Sequence, residues 1–224
     1  MRPHHDGPVW RKAAPGRAGS PLVVVVDGVP GGHRDGPRLL RRLVRRGYQV
    51  AVVVPDAAAW RSAAAGTWLA GLAVGRRDAA VEVRLLGFGP AGALALRAAA
   101  HDPAVRAVHL LGTPVGLPHL EARPRPATAA RLQVTALENE PPRQPLHAMP
   151  LTPAELYEVR APIRYAYNPD DPVTPPRDVA LLKLAVRHCE FTVLSAGDGG
   201  TPHGPAARRW VVAGLPRTRH PRWD

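Results

Sequence analysis

Few side chains in this sequence have the chemistry of a nucleophile. The serines are Ser20, Ser62 and Ser195, and none stands at a sharp turn from a strand into a helix. Cys189 is the only cysteine, and it approaches a predicted strand, where a small apolar filler is the commoner role. Thr113 follows a predicted strand and could face a cleft, although structural threonines are commoner at strand ends. These residues therefore supply no evident activated oxygen or sulfur nucleophile.

The pattern Gly87-x-Gly89-x-x-Gly92 imitates a dinucleotide-binding fingerprint. That fingerprint belongs to the first βαβ unit, and an acidic residue ends the next strand. Here the pattern follows the third predicted strand, and the next one ends at 110–112 without an acid. No glycine-rich phosphate loop with a lysine is present either. We predict neither a metal nor a cofactor. The following histidines show no metal-ligand spacing: His33, His101, His109, His119, His147 and His188.

The chain of 224 residues has a formal charge of +12 and a pI near 11.3, a balance that can indicate nucleic acid or an anionic surface as a partner. Lysine occurs only at Lys12 and Lys183, so the charge is almost all arginine. Aromatic residues are only 5% of the chain and do not alternate with basic runs as a stacking platform requires. The densest cluster of arginines has the spacing of an amphipathic helix with a solvated basic face. Nucleic-acid binding is therefore not expected. The cluster consists of Arg38, Arg41, Arg42, Arg45 and Arg46.

The single cysteine excludes an intramolecular disulfide framework. A chain without disulfides is compatible with a reducing compartment. The first 20 residues are basic and contain proline but lack the apolar core of a secretory signal. The longest purely apolar runs, such as 22–26, are too short to span a bilayer. We predict a soluble, cytoplasmic protein without a membrane partner, and the sequence leaves its oligomeric state open.

Hydrophobic periodicity predicts strands that alternate with helices. Continuous apolar or β-branched runs predict buried strands at 22–26, 48–54, 81–86, 105–111, 163–167 and 190–194. Helices are predicted between and after them at 37–46, 57–74, 91–100, 177–187 and 205–214. This alternation is typical of right-handed crossovers onto a parallel sheet. We therefore predict an α/β fold, a mostly parallel sheet of about six strands with helices on both faces.

One domain over 21–215 fits a chain of this length. Residues 1–20 lack periodicity and are predicted to form a tail or a loose edge element, and 216–224 a C-terminal tail. The alternation breaks at 114–160, where prolines recur, so a short cap or loop insertion is predicted there. Within it, Thr152 and Glu155 have the spacing of a capping box and predict a helix near 153–159.

The predicted strand, tight turn and helix around Gly87-Phe88-Gly89-Pro90-Ala91 resemble the nucleophile elbow of the α/β-hydrolases. In that motif a Gly-x-Ser-x-Gly turn holds a strained serine at the carboxyl edge of the sheet. Gly89 takes the place of the serine. The resemblance extends over 21–215 and implies the α/β-hydrolase fold, with the dienelactone-hydrolase-like group as the nearest relatives.

Three further segments match this family in order. The first strand and its turn, Asp27-Gly28-Val29, resemble the part that carries half of the oxyanion hole. The resemblance implies a substrate pocket lined by these three residues with Gly89 and Pro90. Asp27 adds a carboxylate there, or caps the turn through an Asx-type hydrogen bond.

The turn 167–175 resembles the acid-bearing turn, with Asp171 in the place of the acid, and 196–204 resembles the histidine loop, with His203 in the place of the histidine. The two residues are 32 positions apart, separated by one helix and one strand, which puts both on adjacent loops at one sheet edge. The resemblance implies that Asp171 orients His203 as a catalytic base. The alternative is that both are inherited loop residues without chemistry.

Acyl transfer in this family needs a nucleophile and a backbone N–H on the residue after it, aimed at the oxyanion. Gly89 supplies no nucleophilic atom, and Pro90 has no N–H. Ordinary serine or cysteine esterase chemistry is therefore not expected.

Three functions remain open for such a protein. The first is binding of a small carbonyl or ester-like molecule with catalysis that forms no acyl-enzyme, such as elimination, decarboxylation, cyclisation or activation of water by the His-Asp pair. The second is non-catalytic binding or interaction, as a pseudoenzyme. The third is hydrolysis by a relocated nucleophile.

Overall fold

The computed structural model describes residues 9–14, 19–27, 36–54, 82–89, 91–115, 151–169, 176–194, 204–215 and 217. These residues contain seven strands of one sheet: β1 (Val9–Ala14), β2 (Leu22–Asp27), β3 (Gln49–Val54), β4 (Val83–Phe88), β5 (Val105–Leu111), β6 (Ile163–Tyr167) and β7 (Cys189–Val193). Their order is β1-β3-β2-β4-β5-β6-β7, and every pairing from β3 to β7 is parallel. The predicted sheet is present, with the strand alternation expected from the sequence.

Strand β1 is antiparallel to β3 and forms an edge of the sheet, with a register shift between Trp10 and Lys12. It lies within residues 1–20, which the sequence predicted to be a tail or a loose edge element. The sheet therefore begins at Val9, before the predicted domain start at 21. The sequence of this strand has no apolar alternation that could have predicted it. The strand is defined instead by its pairing with the β3 backbone.

The described helices are α1 (Gly36–Arg45), α2 (Ala91–His101), α3 (Pro153–Glu158), α4 (Pro176–Ala185) and α5 (Pro205–Gly214). One hydrophobic core joins a face of the sheet to α2, α3 and α4, through buried side chains such as Leu94, Leu156 and Leu182. A second core joins the opposite face to α1 and α5, through Leu43 and Trp210. Helices therefore cover both faces, as predicted. The helix predicted at 57–74 lies outside the described residues.

Helix α1 is the predicted amphipathic helix. Its leucines at 39 and 43 are buried, and the arginines at 38, 41, 42 and 45 are exposed. Arg46, one residue past the helix, differs from the others in the cluster. Its Nη1 donates to the carbonyl oxygens of Val212 at 2.7 Å and Leu215 at 2.6 Å, at the C-terminal end of α5. Arg46 therefore joins the two helices on one face of the sheet.

Helix α3 follows the proline-rich insertion, of which 116–150 lie outside the described residues. The predicted capping box is present, because the N–H of Glu155 donates to Thr152 Oγ1 at 3.1 Å and the N–H of Thr152 donates to Glu155 Oε2 at 2.8 Å. Glu155 also pairs with the buried Arg97 of α2 at 2.7 Å. Burial raises the pKa of Glu155, but the hydrogen bonds from Arg97 and Thr152 outweigh it and hold that pKa below its ordinary value. This ion pair fixes α3 on α2.

Of the helices within the described ranges, none combines the length and apolar character needed to cross a membrane.

Candidate functional site

The carboxyl ends of the parallel strands meet at one edge of the sheet. Asp27 at the end of β2 lies in register with Phe88 at the end of β4, and Phe88 with Leu111 at the end of β5. Leu111 lies in register with Ala166 of β6. Open parallel sheets bind their ligands at such an edge, where loops from several strands come together.

Gly89 connects β4 to α2 at this edge. Its φ of +53° lies in the left-handed region, which residues with a side chain seldom adopt. Its N–H donates to the carbonyl oxygen of Leu111 at 2.8 Å, and its own carbonyl accepts from the N–H of Gly92 at 3.0 Å. The strand, turn and helix predicted for this segment are present, with Gly89 at the predicted sheet edge and in the predicted conformation.

The space around Gly89 is open as far as the described residues are concerned. None of their heavy atoms lies within 4 Å of the place where its Cβ would stand. Position 92 is the opposite case, because a Cβ there would overlap the side chain of Thr113, and one at Gly87 would overlap the backbone of Gly92. Glycine is thus required at 87 and 92 for close packing of strand and helix, whereas at 89 only the backbone conformation favours it.

Residues 112–115, which we call the β5 exit segment, follow β5 and are tied to their neighbours by three hydrogen bonds. Gly112 N–H donates to Ala166 O at 2.9 Å, and the Tyr165 hydroxyl donates to Thr113 O at 2.7 Å. The third hydrogen bond joins this segment to α4, because the N–H of Val115 donates to Oδ2 of Asp178 at 2.8 Å.

Asp178 lies in the first turn of α4 and is only 2% exposed. No motif in the sequence had indicated this residue. The pattern that would have indicated it is an acid in the first turn of the helix that follows the turn containing Asp171.

The structure describes only part of the site predicted from the sequence. It brings the Asp27 backbone and Gly89 to the same edge, at the ends of neighbouring strands. Gly28, Val29, Pro90, Asp171 and His203 lie outside the described residues. The described chain reaches Pro169 before Asp171, and resumes at Gly204 after His203.

The described candidates for a relocated nucleophile are poorly suited to that role. Thr113 is fully buried against α2, with 0% exposure. Ser20, 5% exposed, precedes β2, and Cys189 begins β7, so both lie at the amino end of their strands, opposite Gly89. Burial, with a further contribution from Glu190, raises the pKa of Cys189 to about 12, so the thiolate is scarce at neutral pH. Ser62 and Ser195 lie outside the described residues.

His109 is a titratable group that the sequence assigned to a surface or core role. It lies on β5 with 1% exposure, and its ring meets Trp210 edge to face at a centroid distance of 6.0 Å. Burial, assisted by the nearby Arg164 and Arg84 cations, lowers the pKa of His109 to about 4. The ring is therefore neutral at pH 7 and belongs to the core under α5. Within the described ranges, no group of three or more His, Cys, Asp or Glu residues is arranged to hold a metal ion.

Comparison with known proteins identifies the fold. No protein-family model and no curated protein matches the sequence. Among solved structures, AbyA5 is 24% identical with a TM-score of 0.64, over 88% of this chain and 62% of AbyA5. The 2,6-dihydroxy-pseudo-oxynicotine hydrolase is 16% identical with a TM-score of 0.69, over 90% of this chain and 61% of that protein. Est1E from Butyrivibrio proteoclasticus is 13% identical with a TM-score of 0.64, over 93% of this chain and 96% of Est1E.

The chain therefore spans about three fifths of the length of AbyA5 and of the pseudo-oxynicotine hydrolase, and nearly all of Est1E. The sheet order, the helices on both faces and these likenesses agree: the chain has the α/β-hydrolase fold. Identities at this level define the fold alone.

Proposed function

We propose that this α/β-hydrolase-fold protein binds a small carbonyl or ester-like molecule at the carboxyl edge of its sheet and acts on it without forming an acyl-enzyme. The single observation that carries this proposal is the state of position 89. Its backbone has the left-handed conformation and the open surroundings that suit a nucleophile, but glycine offers no nucleophilic atom. The next residue, Pro90, has no N–H for an oxyanion.

The proposed chemistry uses His203 as a general base and Asp171 as the carboxylate that orients its ring. One ring nitrogen accepts a proton from water or from a carbon next to a carbonyl, and the other donates to Asp171. Elimination, cyclisation and water activation each begin with such a proton transfer. In decarboxylation the protonated ring instead donates its proton to the carbanion that remains when carbon dioxide leaves. Asp27, Gly28 and Val29, with Gly89 and Pro90, are proposed to line the pocket, and the dienelactone-hydrolase-like group is the proposed subfamily.

A non-catalytic binding protein is the second candidate. It is favoured by the simultaneous loss of both contributions of the elbow, the nucleophile at 89 and the amide at 90. A relocated nucleophile is the third candidate, and among the described residues Thr113, Ser20 and Cys189 give it no support, because they are either buried or at the wrong edge.

The test begins with binding. Thermal unfolding is followed with a panel of lactones, β-keto acids, short esters and enol ethers, on the wild-type protein and on Gly89→Leu. The leucine side chain fills the open space at 89, so the stabilisation by a true ligand should disappear. Gly19→Leu is the matched control, because Gly19 also has a positive φ, of 80°, but precedes β2 at the other end of the strand.

Turnover of any ligand is then followed by proton NMR with wild type, His203→Gln and Asp171→Asn. Turnover lost in His203→Gln supports the base mechanism. Binding without turnover supports the non-catalytic candidate, and covalent labelling by a fluorophosphonate supports a relocated nucleophile. Equal stabilisation of wild type and Gly89→Leu by every ligand would contradict a pocket at this edge.

A further inference from the structure

Asp178 forms the hydrogen bond that connects the N-terminus of α4 to the β5 exit segment. Its carboxylate accepts the N–H of Val115 at 2.8 Å, and the two residues are 2% and 0% exposed. A charged acceptor gives a shorter and stronger bond than a neutral one. The positive end of the ten-residue helix α4 further stabilises the carboxylate. This contact is therefore well placed to fix α4 against the end of β5.

Both ends of the turn between β6 and α4 are tied to the same four residues. The strand that enters the turn is held through Ala166 O and the Tyr165 hydroxyl, which bond to Gly112 and Thr113. The helix that leaves the turn is held through Asp178. Asp171 lies in sequence between these two attachments, seven residues before Asp178.

We propose that Asp178 is a positioning residue that fixes the exit of this turn and thereby keeps Asp171 within reach of His203. The inference rests on the proposed function, because it assumes that Asp171 is the partner of His203. Asp178 is assigned no contact with substrate. The role is assigned to its hydrogen bond with the backbone of Val115, so the position of its acceptor oxygen is essential.

The experiment follows the titration of His203 by NMR in protein labelled with ¹³C-histidine, using the full chain. The His203 signal is the one missing from His203→Gln. In Asp171→Asn the titration midpoint of His203 should fall, because a neighbouring carboxylate favours the charged ring. Asp178→Ala should lower it by at least half as much. Asp178→Asn keeps an acceptor oxygen but forms a weaker bond without the charge, so its midpoint should fall less than that of Asp178→Ala.

Leu43→Ala is the control for general loss of stability, because it opens a cavity under α1 on the opposite face of the sheet and should leave the midpoint unchanged. If Asp178→Ala does not fold, Asp178→Glu replaces it. This variant keeps the charge but displaces the acceptor, so positioning predicts a lowered midpoint.

The outcomes separate the two proposals. No change in Asp171→Asn overturns the His203–Asp171 pair and this inference with it. A fall in Asp171→Asn without a fall in Asp178→Ala or Asp178→Glu overturns the positioning role alone. A fall in Asp178→Asn equal to that in Asp178→Ala also overturns it, because the charge and not the position would then be responsible.

Discussion

The backbone N–H of Gly89 donates a 2.8 Å hydrogen bond to the carbonyl oxygen of Leu111. Both partners are backbone groups at the ends of neighbouring strands, so the bond does not depend on the side chain at position 89. The open space around that position likewise leaves room for one. The backbone geometry of this turn is therefore independent of the residue type at position 89, where glycine supplies no nucleophilic atom.

Restoring the nucleophile alone should restore little activity. Gly89→Ser should fold, at a cost of about 1–2 kcal/mol for its left-handed backbone. Loss of one oxyanion donor lowers the rate about 100- to 1,000-fold, so Pro90 should keep ester hydrolysis near background in this variant. Gly89→Ser with Pro90→Leu should gain weak hydrolysis of p-nitrophenyl acetate and labelling by a fluorophosphonate. Adding His203→Gln should remove both, and efficient hydrolysis by the wild type would contradict the prediction.

The buried His109 should make the protein acid-sensitive. Its pKa is near 4 in the folded state and about 6.5 when unfolded, so the unfolded chain binds more protons between these values and stability rises with pH there. The contribution is complete above about pH 6.5 and is lost as the pH falls to 4, amounting to about 3 kcal/mol.

Urea unfolding at pH 7.5 and 4.5 measures this loss, and His109→Phe should show a smaller one. Leu43→Ala provides the control for general loss of stability, because it removes core packing but no titratable group and should retain the wild-type pH dependence. An unchanged loss in His109→Phe would assign the acid sensitivity to other groups.

The contact between Gly92 and Thr113 should be energetically coupled. Gly92→Ala places a methyl group against the Thr113 side chain and should cost about 1–3 kcal/mol through overpacking. In the double variant Gly92→Ala with Thr113→Ala, removal of the hydroxyl and methyl groups should recover part of this loss. Chemical denaturation of the four proteins gives the coupling energy. Strictly additive effects would show that the helix moves away instead.

Arg46 should stabilise the fold more than the adjacent Arg45. Arg46→Ala removes two charged hydrogen bonds to the carbonyl oxygens of Val212 and Leu215 and should cost about 2 kcal/mol. Arg45→Ala, one residue earlier and exposed, should change stability by less than about 0.5 kcal/mol. Equal urea midpoints for the two variants would show that the contacts of Arg46 do not persist in solution.

Local features of this protein were predictable from its sequence. The bounds of β5 (Val105–Leu111) and β6 (Ile163–Tyr167), and of α5 (Pro205–Gly214), agree with the predicted ones, because each run is bounded by turn residues. The capping box of Thr152 and Glu155 was likewise readable, since it depends on residue types three positions apart. The absence of a nucleophilic atom at Gly89 was predictable from the residue type alone, once the turn was recognised.

Contacts between distant segments were decided by the tertiary structure. The edge strand β1 exists through pairing with β3, about 40 residues later, and no local period indicates it. The bond between Val115 and Asp178 joins residues 63 positions apart, and the burial of His109 depends on α5 packing over β5. Side-chain periodicity reports only which face of an element is apolar. Which element covers that face, and which buried polar groups meet there, is set when the chain packs as a whole.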